Sequence, residues 1–138
     1  MEIKNGIEIH SYDGAGYMPL IDFESWRVAL LNPAGSAAGI DTMQRHLETD
    51  EVFILLTGKC VLFAAADGEK PEHVSGVSME PLKLYNVTKG YWHASALTDG
   101  ASVLIVENRD TTAANSPQYH LCDEMKNQIA KISEELLK

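Results

Sequence analysis

The stretch from Glu51 to Ala64 constrains the fold of this chain more than any other. Two β-prone apolar runs, Glu51-Val52-Phe53-Ile54-Leu55-Leu56 and Cys60-Val61-Leu62-Phe63-Ala64, are separated by Thr57-Gly58-Lys59. Runs this short and this rich in aliphatic residues predict strands, and the Gly-containing break between them predicts a hairpin. An isolated hairpin is marginal in water, so other strands must join it to build a shared core.

The rest of the chain supplies them. Ser25–Leu31 places Trp26, Val28 and Leu30 on one face and ends at Asn32-Pro33-Ala34-Gly35. Ile40–His46 sets Gln44 and His46 on one face and Arg45 on the other, by the two-residue period of a strand. Asp67–Pro81 is polar and reads as a surface connection. Leu82–Val87 resumes strand character, Lys89-Gly90 breaks it, and Trp92–Leu97 and Ser102–Val106 form a further pair around Thr98-Asp99-Gly100-Ala101. Residues 1–21 read as irregular apart from the short alternating piece Ile7-Glu8-Ile9.

The ending has a different period. Ser116-Pro117 has the form of an N-cap followed by a first-turn proline. Leu121, Met125, Ile129, Ile132 and Leu136 recur at helical spacing, which predicts a helix over about 117–137 with one apolar stripe. That stripe must lie against the β-domain or against a second copy of the chain. The expected architecture is a single all-β domain over residues 1–138, an antiparallel sandwich or jelly-roll barrel with its core at about 22–110 and one C-terminal helix.

Charge narrows the partners. With 20 Asp and Glu against 11 Lys and Arg the formal net charge is −9, and no run of basic residues interrupts it. Such a surface repels nucleic-acid phosphates and anionic lipid, so small molecules are the expected partners. No apolar run reaches the ~20 residues that a membrane span needs, and the N-terminus lacks the layout of a signal peptide, so a cytoplasmic protein is expected. The two cysteines, Cys60 and Cys122, stand apart with no CxxC or Cys/His ligand spacing, as small apolar side chains in a reducing compartment would.

Two pieces place metal-capable residues beside apolar strands: Gln44-Arg45-His46-Leu47-Glu48-Thr49-Asp50-Glu51, leading to Gly58, and Gly90-Tyr91-Trp92-His93. Two imidazoles and one carboxylate converging at a barrel mouth form a set that holds a divalent first-row ion and leaves positions open for substrate. Taken singly, His46, Glu51 and His93 are ordinary strand residues, and only their joint spacing points to chemistry.

These pieces resemble the two motifs of the cupin superfamily, His-x-His, three or four residues, Glu, six residues, Gly, and then Pro-x-Gly, two residues, His. His46 matches the second histidine of the first motif, with Glu51 and Gly58 following at the right intervals, and Gly90 and His93 match the second. The resemblance covers about Ile40 to Glu107, in the manner of a small single-domain RmlC-like cupin, with weaker similarity to ureidoglycolate-lyase-like cupins. It implies a jelly roll and a bound iron, manganese, nickel or zinc ion held by His46, Glu51 and His93. The chain departs from the pattern at Gln44, where the family has a histidine, at Thr88 for proline and at Leu97 for a frequent asparagine. Ala38 and Leu82 stand where leading glycines occur. Gln44 is expected as a weak fourth ligand, leaving the ion a stronger Lewis acid.

Other residues complete the candidate site. Arg45 and Arg109 are candidates for binding a substrate anion, and Tyr85, Tyr91 and Trp92 for lining the pocket. Glu107 shares a strand face with Val103 and Ile105; if that face lines the barrel, its carboxyl joins Glu51 as a catalytic acid or base, and otherwise it is a surface charge. The functions that fit are a metal-dependent isomerase, lyase or oxygenase acting on a sugar, keto acid or ureido acid, a non-catalytic binder of such a molecule, and a metal-free structural subunit. A homodimer is expected through Ile7–Ile9 or through the helix, because the edges of a small sandwich invite pairing.

Overall fold

A computed structural model describes residues 1–34 and 39–138. The predicted turn residue Gly35 and the motif position Ala38 lie outside the described residues. The strands are β1 (Glu2–Lys4), β2 (Ile7–Ile9), β3 (Gly16–Phe23), β4 (Trp26–Asn32), β5 (Thr42–Gln44) and β6 (Glu51–Thr57). They continue as β7 (Cys60–Ala65), β8 (Ser75–Ser78), β9 (Tyr85–Val87), β10 (Trp92–Leu97), β11 (Ser102–Asn108) and β12 (Gln118–His120), before helix α1 (Asp123–Leu136). β1 and β2 pair only with each other, and the others form two five-stranded antiparallel sheets in the orders β3-β4-β11-β6-β9 and β12-β5-β10-β7-β8.

The two runs that predict a hairpin do not pair. β6 belongs to the first sheet and β7 to the second, so Thr57-Gly58-Lys59 carries the chain from one sheet to the other. The second predicted pair behaves identically, with β10 and β11 in opposite sheets. The two crossings bind each other: Thr98 N–H donates to the Lys59 carbonyl at 3.0 Å, and Lys59 N–H donates to Thr98 Oγ1 at 3.0 Å. Gly58 sits at the tightest point, with φ at +70°, where an added Cβ would stand 2.6 Å from the Ala101 Cα. Local apolar patterning reports that both runs are strands but carries no information on which sheet each joins.

Two cores follow from this arrangement. Between the sheets, Ala29, Phe53, Leu55, Leu62, Val103 and Ile105 pack together. On the outer face of the second sheet, Val61, Phe63 and Trp92 meet Leu121 and Ile129, with Met125, Ile132 and Leu136 packed alongside. β7 contributes to both cores, which is why its sequence is apolar at consecutive positions rather than alternate ones. The helical stripe is thus covered within the chain.

The helix itself starts later than its sequence signal. Cys122 is the residue before its first turn, and Ser116-Pro117 leads instead into β12, paired with β5 through Gln118 opposite Gln44. Tertiary pairing captured these residues, since the backbone of 115–117 also accepts hydrogen bonds from Leu47 and Arg45. The N-terminal region is likewise more regular than its composition suggests, with β3 lying antiparallel on β4 from Gly16 to Phe23.

Candidate metal centre

Three inward-facing chain segments build the site. β6 alternates, so Glu51, Phe53 and Leu55 are buried on the inner face while Leu56 reaches solvent. His46 lies just beyond β5, and His93 is the second residue of β10, opposite Gln44 in register. The loop before His93 is tied to His46 directly, because Gly90 N–H donates to the His46 carbonyl at 2.8 Å. Gly90 has φ at +92°, a conformation that favours glycine, and a Cβ there would press on the Asp67 carboxyl.

The donor atoms of His46, Glu51 and His93 lie within 4.8 Å of one another, in residues that are 7%, 4% and 4% exposed. Glu51 Oε1 is 3.3 Å from His46 Nε2 and 2.8 Å from His93 Nε2. Ligands at right angles around an ion, with bonds of about 2.1 Å, stand about 3.0 Å apart, so these separations suit coordination.

The hydrogen-bond network fixes where the lone pairs point. Asn115 Oδ1 accepts Thr112 N–H and the Ser116 hydroxyl, at 2.9 and 3.1 Å. With its proton committed to Asn115, Ser116 Oγ accepts from His46 Nδ1–H at 2.7 Å. His93 Nδ1–H donates to the Tyr91 carbonyl at 3.3 Å. Each ring therefore turns Nε2 toward Glu51, and the outer hydrogen bonds are of the kind that orient metal-binding histidines. His93 Nε2 is buried and makes no hydrogen bond, although Glu51 Oε1 is near, because the contact is off the hydrogen-bonding axis. Two imidazole nitrogens buried against one carboxylate oxygen suit a cation among them, whether a proton on His46, 3.3 Å from Glu51 Oε1, or a divalent first-row ion, which the donor set fits.

A second carboxyl lies beside this cluster. Val103, Ile105 and Glu107 face inward along β11, so Glu107 lines the cavity. Its Oε1 accepts from the Tyr17 hydroxyl at 2.6 Å and from Arg27 Nη2 at 2.5 Å. Its Oε2 is buried, unpartnered, and 3.8 Å from His46 Nε2. Burial first, and then the neighbouring Glu51 carboxylate, push Glu107 up to about 7 against the lowering influence of Tyr17 and Arg27. Burial opposes charge on Glu51 too, yet its contacts with His46 and His93 hold that carboxyl well below the usual range. The Tyr17 hydroxyl is raised by burial and by its bond to Glu107, so it stays a donor.

The cavity, of about 800 Å³, is lined by His46, Glu51, His93, Glu107 and Gln44 among others. The remaining sequence candidates lie elsewhere. Arg45 alternates away from Gln44, donates to Asp67 Oδ1 at 2.9 Å and covers the Trp92 ring. Trp92, next to His93 on the strand, faces the helix-side core, and Tyr91 is surface-exposed. Tyr85 packs at the edge of the inter-sheet core, its hydroxyl accepting from Glu80 N–H. Arg109 lies past the end of β11 and pairs with Asp22 at 3.4 Å. Strand alternation or a position beyond a strand end takes Arg45, Trp92, Tyr91 and Arg109 out of the pocket, whereas Tyr85 faces the inter-sheet core without lining the cavity.

Tyr17, Arg27 and Ser116 were not legible as site residues. Arg27 and Glu107 are direct cross-strand partners of β4 and β11, eighty residues apart. The inward face of β4 carries Arg27, Ala29 and Leu31, whereas the more apolar set, Trp26, Val28 and Leu30, faces away from that core.

No protein-family model and no curated protein sequence matches the chain. Solved structures do. The architecture is that of the cupin fold, two antiparallel sheets facing each other. A cupin-2 domain protein from Shewanella frigidimarina is 18% identical at a TM-score of 0.52, over 71% of this chain and 85% of that one. The Streptomyces nucleoside dehydratase Pac13, solved with uridine, is 9% identical at 0.58, over 83% and 86%. The QdtA 3,4-ketoisomerase from Thermoanaerobacterium thermosaccharolyticum, solved with TDP, is 15% identical at 0.55, over 86% and 80%. At these identities the likeness is one of fold. No helix among the described residues is long and apolar enough to cross a membrane.

Proposed function

We propose that the protein is a metal-dependent enzyme of the isomerase or lyase type that moves a proton on a small polar metabolite. The observation that carries this reading is the pairing of a His46-Glu51-His93 cluster with a second buried carboxyl, Glu107, whose free Oε2 lies 3.8 Å from His46 Nε2. Glu51 and the two Nε2 atoms would hold the ion. A divalent ion bound there supplies Lewis acidity to a substrate carbonyl or hydroxyl.

Glu107 is suited to the proton. A carboxyl poised near neutrality both accepts and returns a proton at physiological pH. Arg27 and Tyr17 fix its Oε1, which leaves Oε2 as the basic atom facing substrate. The cupin-fold neighbours, a nucleoside dehydratase and a 3,4-ketoisomerase, support a substrate of sugar type.

One further reading has a specific observation behind it. The cation that Glu51 requires is a proton on His46, whose pKa is raised, because the Glu51 contacts and the charge of Glu107 outweigh burial. Elemental analysis of protein purified without an affinity tag for metals separates the two. About one first-row ion per chain supports the metal reading, and turnover of a sugar, keto-acid or ureido-acid panel that depends on that ion supports the enzyme. A protein that refuses every such ion at neutral pH returns the site to acid and base chemistry by His46 and Glu107.

A further inference from the structure

The sheet that carries His93 also carries a row of neutral hydrogen-bonding side chains. Register places Gln118 beside Gln44 and Gln44 beside His93 across β12, β5 and β10. Two residues along, Thr42 shares the face of Gln44 and Ser95 shares that of His93. All four line the same cavity as the His-Glu-His cluster. The hydrogen bonds of the site go to His46, His93, Glu51 and Glu107, and among the described residues the side chains of Gln44, Gln118, Thr42 and Ser95 make none. Two carboxamides and two hydroxyls thus stand free, able to donate and to accept.

Charge at this wall is already compensated. Arg27 is the one permanent cation among the described lining residues. Its Nη2 serves Glu107 and the Thr111 carbonyl, and its Nη1 the Arg109 carbonyl, with only the buried Nε unpaired. A phosphate or carboxylate drawn against the wall, away from the ion, would give up part of its water with no countercharge in return, which costs binding. Substrate hydroxyls exchange their water contacts for carboxamides and hydroxyls at little net loss.

Resting on the metal-site reading above, we infer that the cavity takes an uncharged polyhydroxylated small molecule, its hydroxyls bound by Gln44 and Gln118 with Thr42 and Ser95. Gln44 on this account contacts substrate and does not ligate the ion. The class of substrate is a free sugar, a polyol or an unphosphorylated nucleoside, and a phosphorylated one is rejected.

The test uses the zinc-loaded protein and ligand-observed NMR with matched pairs: glucose, xylose, ribitol and uridine, each beside its monophosphate. At least one neutral probe should bind, and about tenfold or more tightly than its phosphate. Gln44→Ala and Gln118→Ala should each weaken that binding about threefold to tenfold, as loss of a net hydrogen bond does, with zinc content unchanged. Equal or tighter binding of the phosphates, no binding of any neutral probe, or no effect of the two substitutions overturns the inference. Loss of zinc from Gln44→Ala makes Gln44 a ligand and overturns it while leaving the metal reading intact. A chain that refuses every first-row divalent ion, yet binds a neutral probe through Gln44 and Gln118, defeats the metal reading and leaves this one standing.

Discussion

Ser116 Oγ lies 2.7 Å from Nδ1 of His46, across 70 residues of sequence, and decides which nitrogen of that ring faces Glu51. The hydroxyl proton is committed to Asn115, so the imidazole must donate outward and present Nε2 inward.

Ser116→Ala should therefore loosen the ion without removing a ligand. Metal affinity, read by competition with a chromophoric chelator, is expected to fall about 10–100-fold, with the protein still folded. Unchanged affinity would mean that the ring is held by packing alone.

His93→Ala and Glu51→Gln remove donors outright and should abolish stoichiometric metal in dialysed protein. Glu107→Gln is different, since it keeps the donor set. It is expected to retain the ion and lose about 10²–10⁴-fold in turnover, the contribution of a positioned acid or base. Loss of the ion with Glu107→Gln would make Glu107 a ligand.

Stability of the metal-free protein should fall as pH rises from about 5 to about 8. Glu107, raised from 4.5 to about 7, and His46, also raised, hold protons in the folded chain that the unfolded chain gives up at lower pH. The stability they contribute is complete below the unfolded values and is lost as pH rises through the folded ones. Glu51 is lowered, so its contribution is lost only in acid, below that window. The stabilisation gained from added zinc should rise with pH over the same range, because its ligands must be deprotonated. Urea midpoints at pH 5.5 and 8, with chelator and with zinc, check both slopes; a metal-free midpoint that rises with pH contradicts the assignment.

At the sheet crossing, Gly58→Ala should cost about 1–3 kcal/mol, since it adds a Cβ against the Ala101 backbone in a left-handed conformation. Denaturant unfolding measures it. A neutral result would place the crossing elsewhere than at Gly58.

Glu51, Gly58, Gly90 and His93 were legible as a set, because their spacing together with His46 resembles the two cupin motifs, although none of them stands out alone. The apolar runs likewise report strands whichever sheet receives them, and the stripe from Leu121 to Leu136 reports a face that must be covered. Sheet membership was not legible. β6 and β7 adjoin in sequence but part at Gly58, because pairing energy depends on partners far along the chain. The same reason hid Arg27 and Tyr17, which gain meaning only where β3, β4 and β11 lie side by side.

By itself, then, the sequence determined an all-β chain with one amphipathic helix, which rest on short-range periodicity, and a His46-Glu51-His93 set fit for an ion, which rests on motif spacing. Only the tertiary structure decided that Ser116-Pro117 begins an edge strand instead of the helix, and that Glu107 lies buried beside the cluster with one oxygen free. It also decided that Arg45, Tyr85, Tyr91, Trp92 and Arg109 stand outside the cavity. Burial and cross-strand register are properties of the packed sheets, and they set the charge, the orientation and the neighbours of every group in the site.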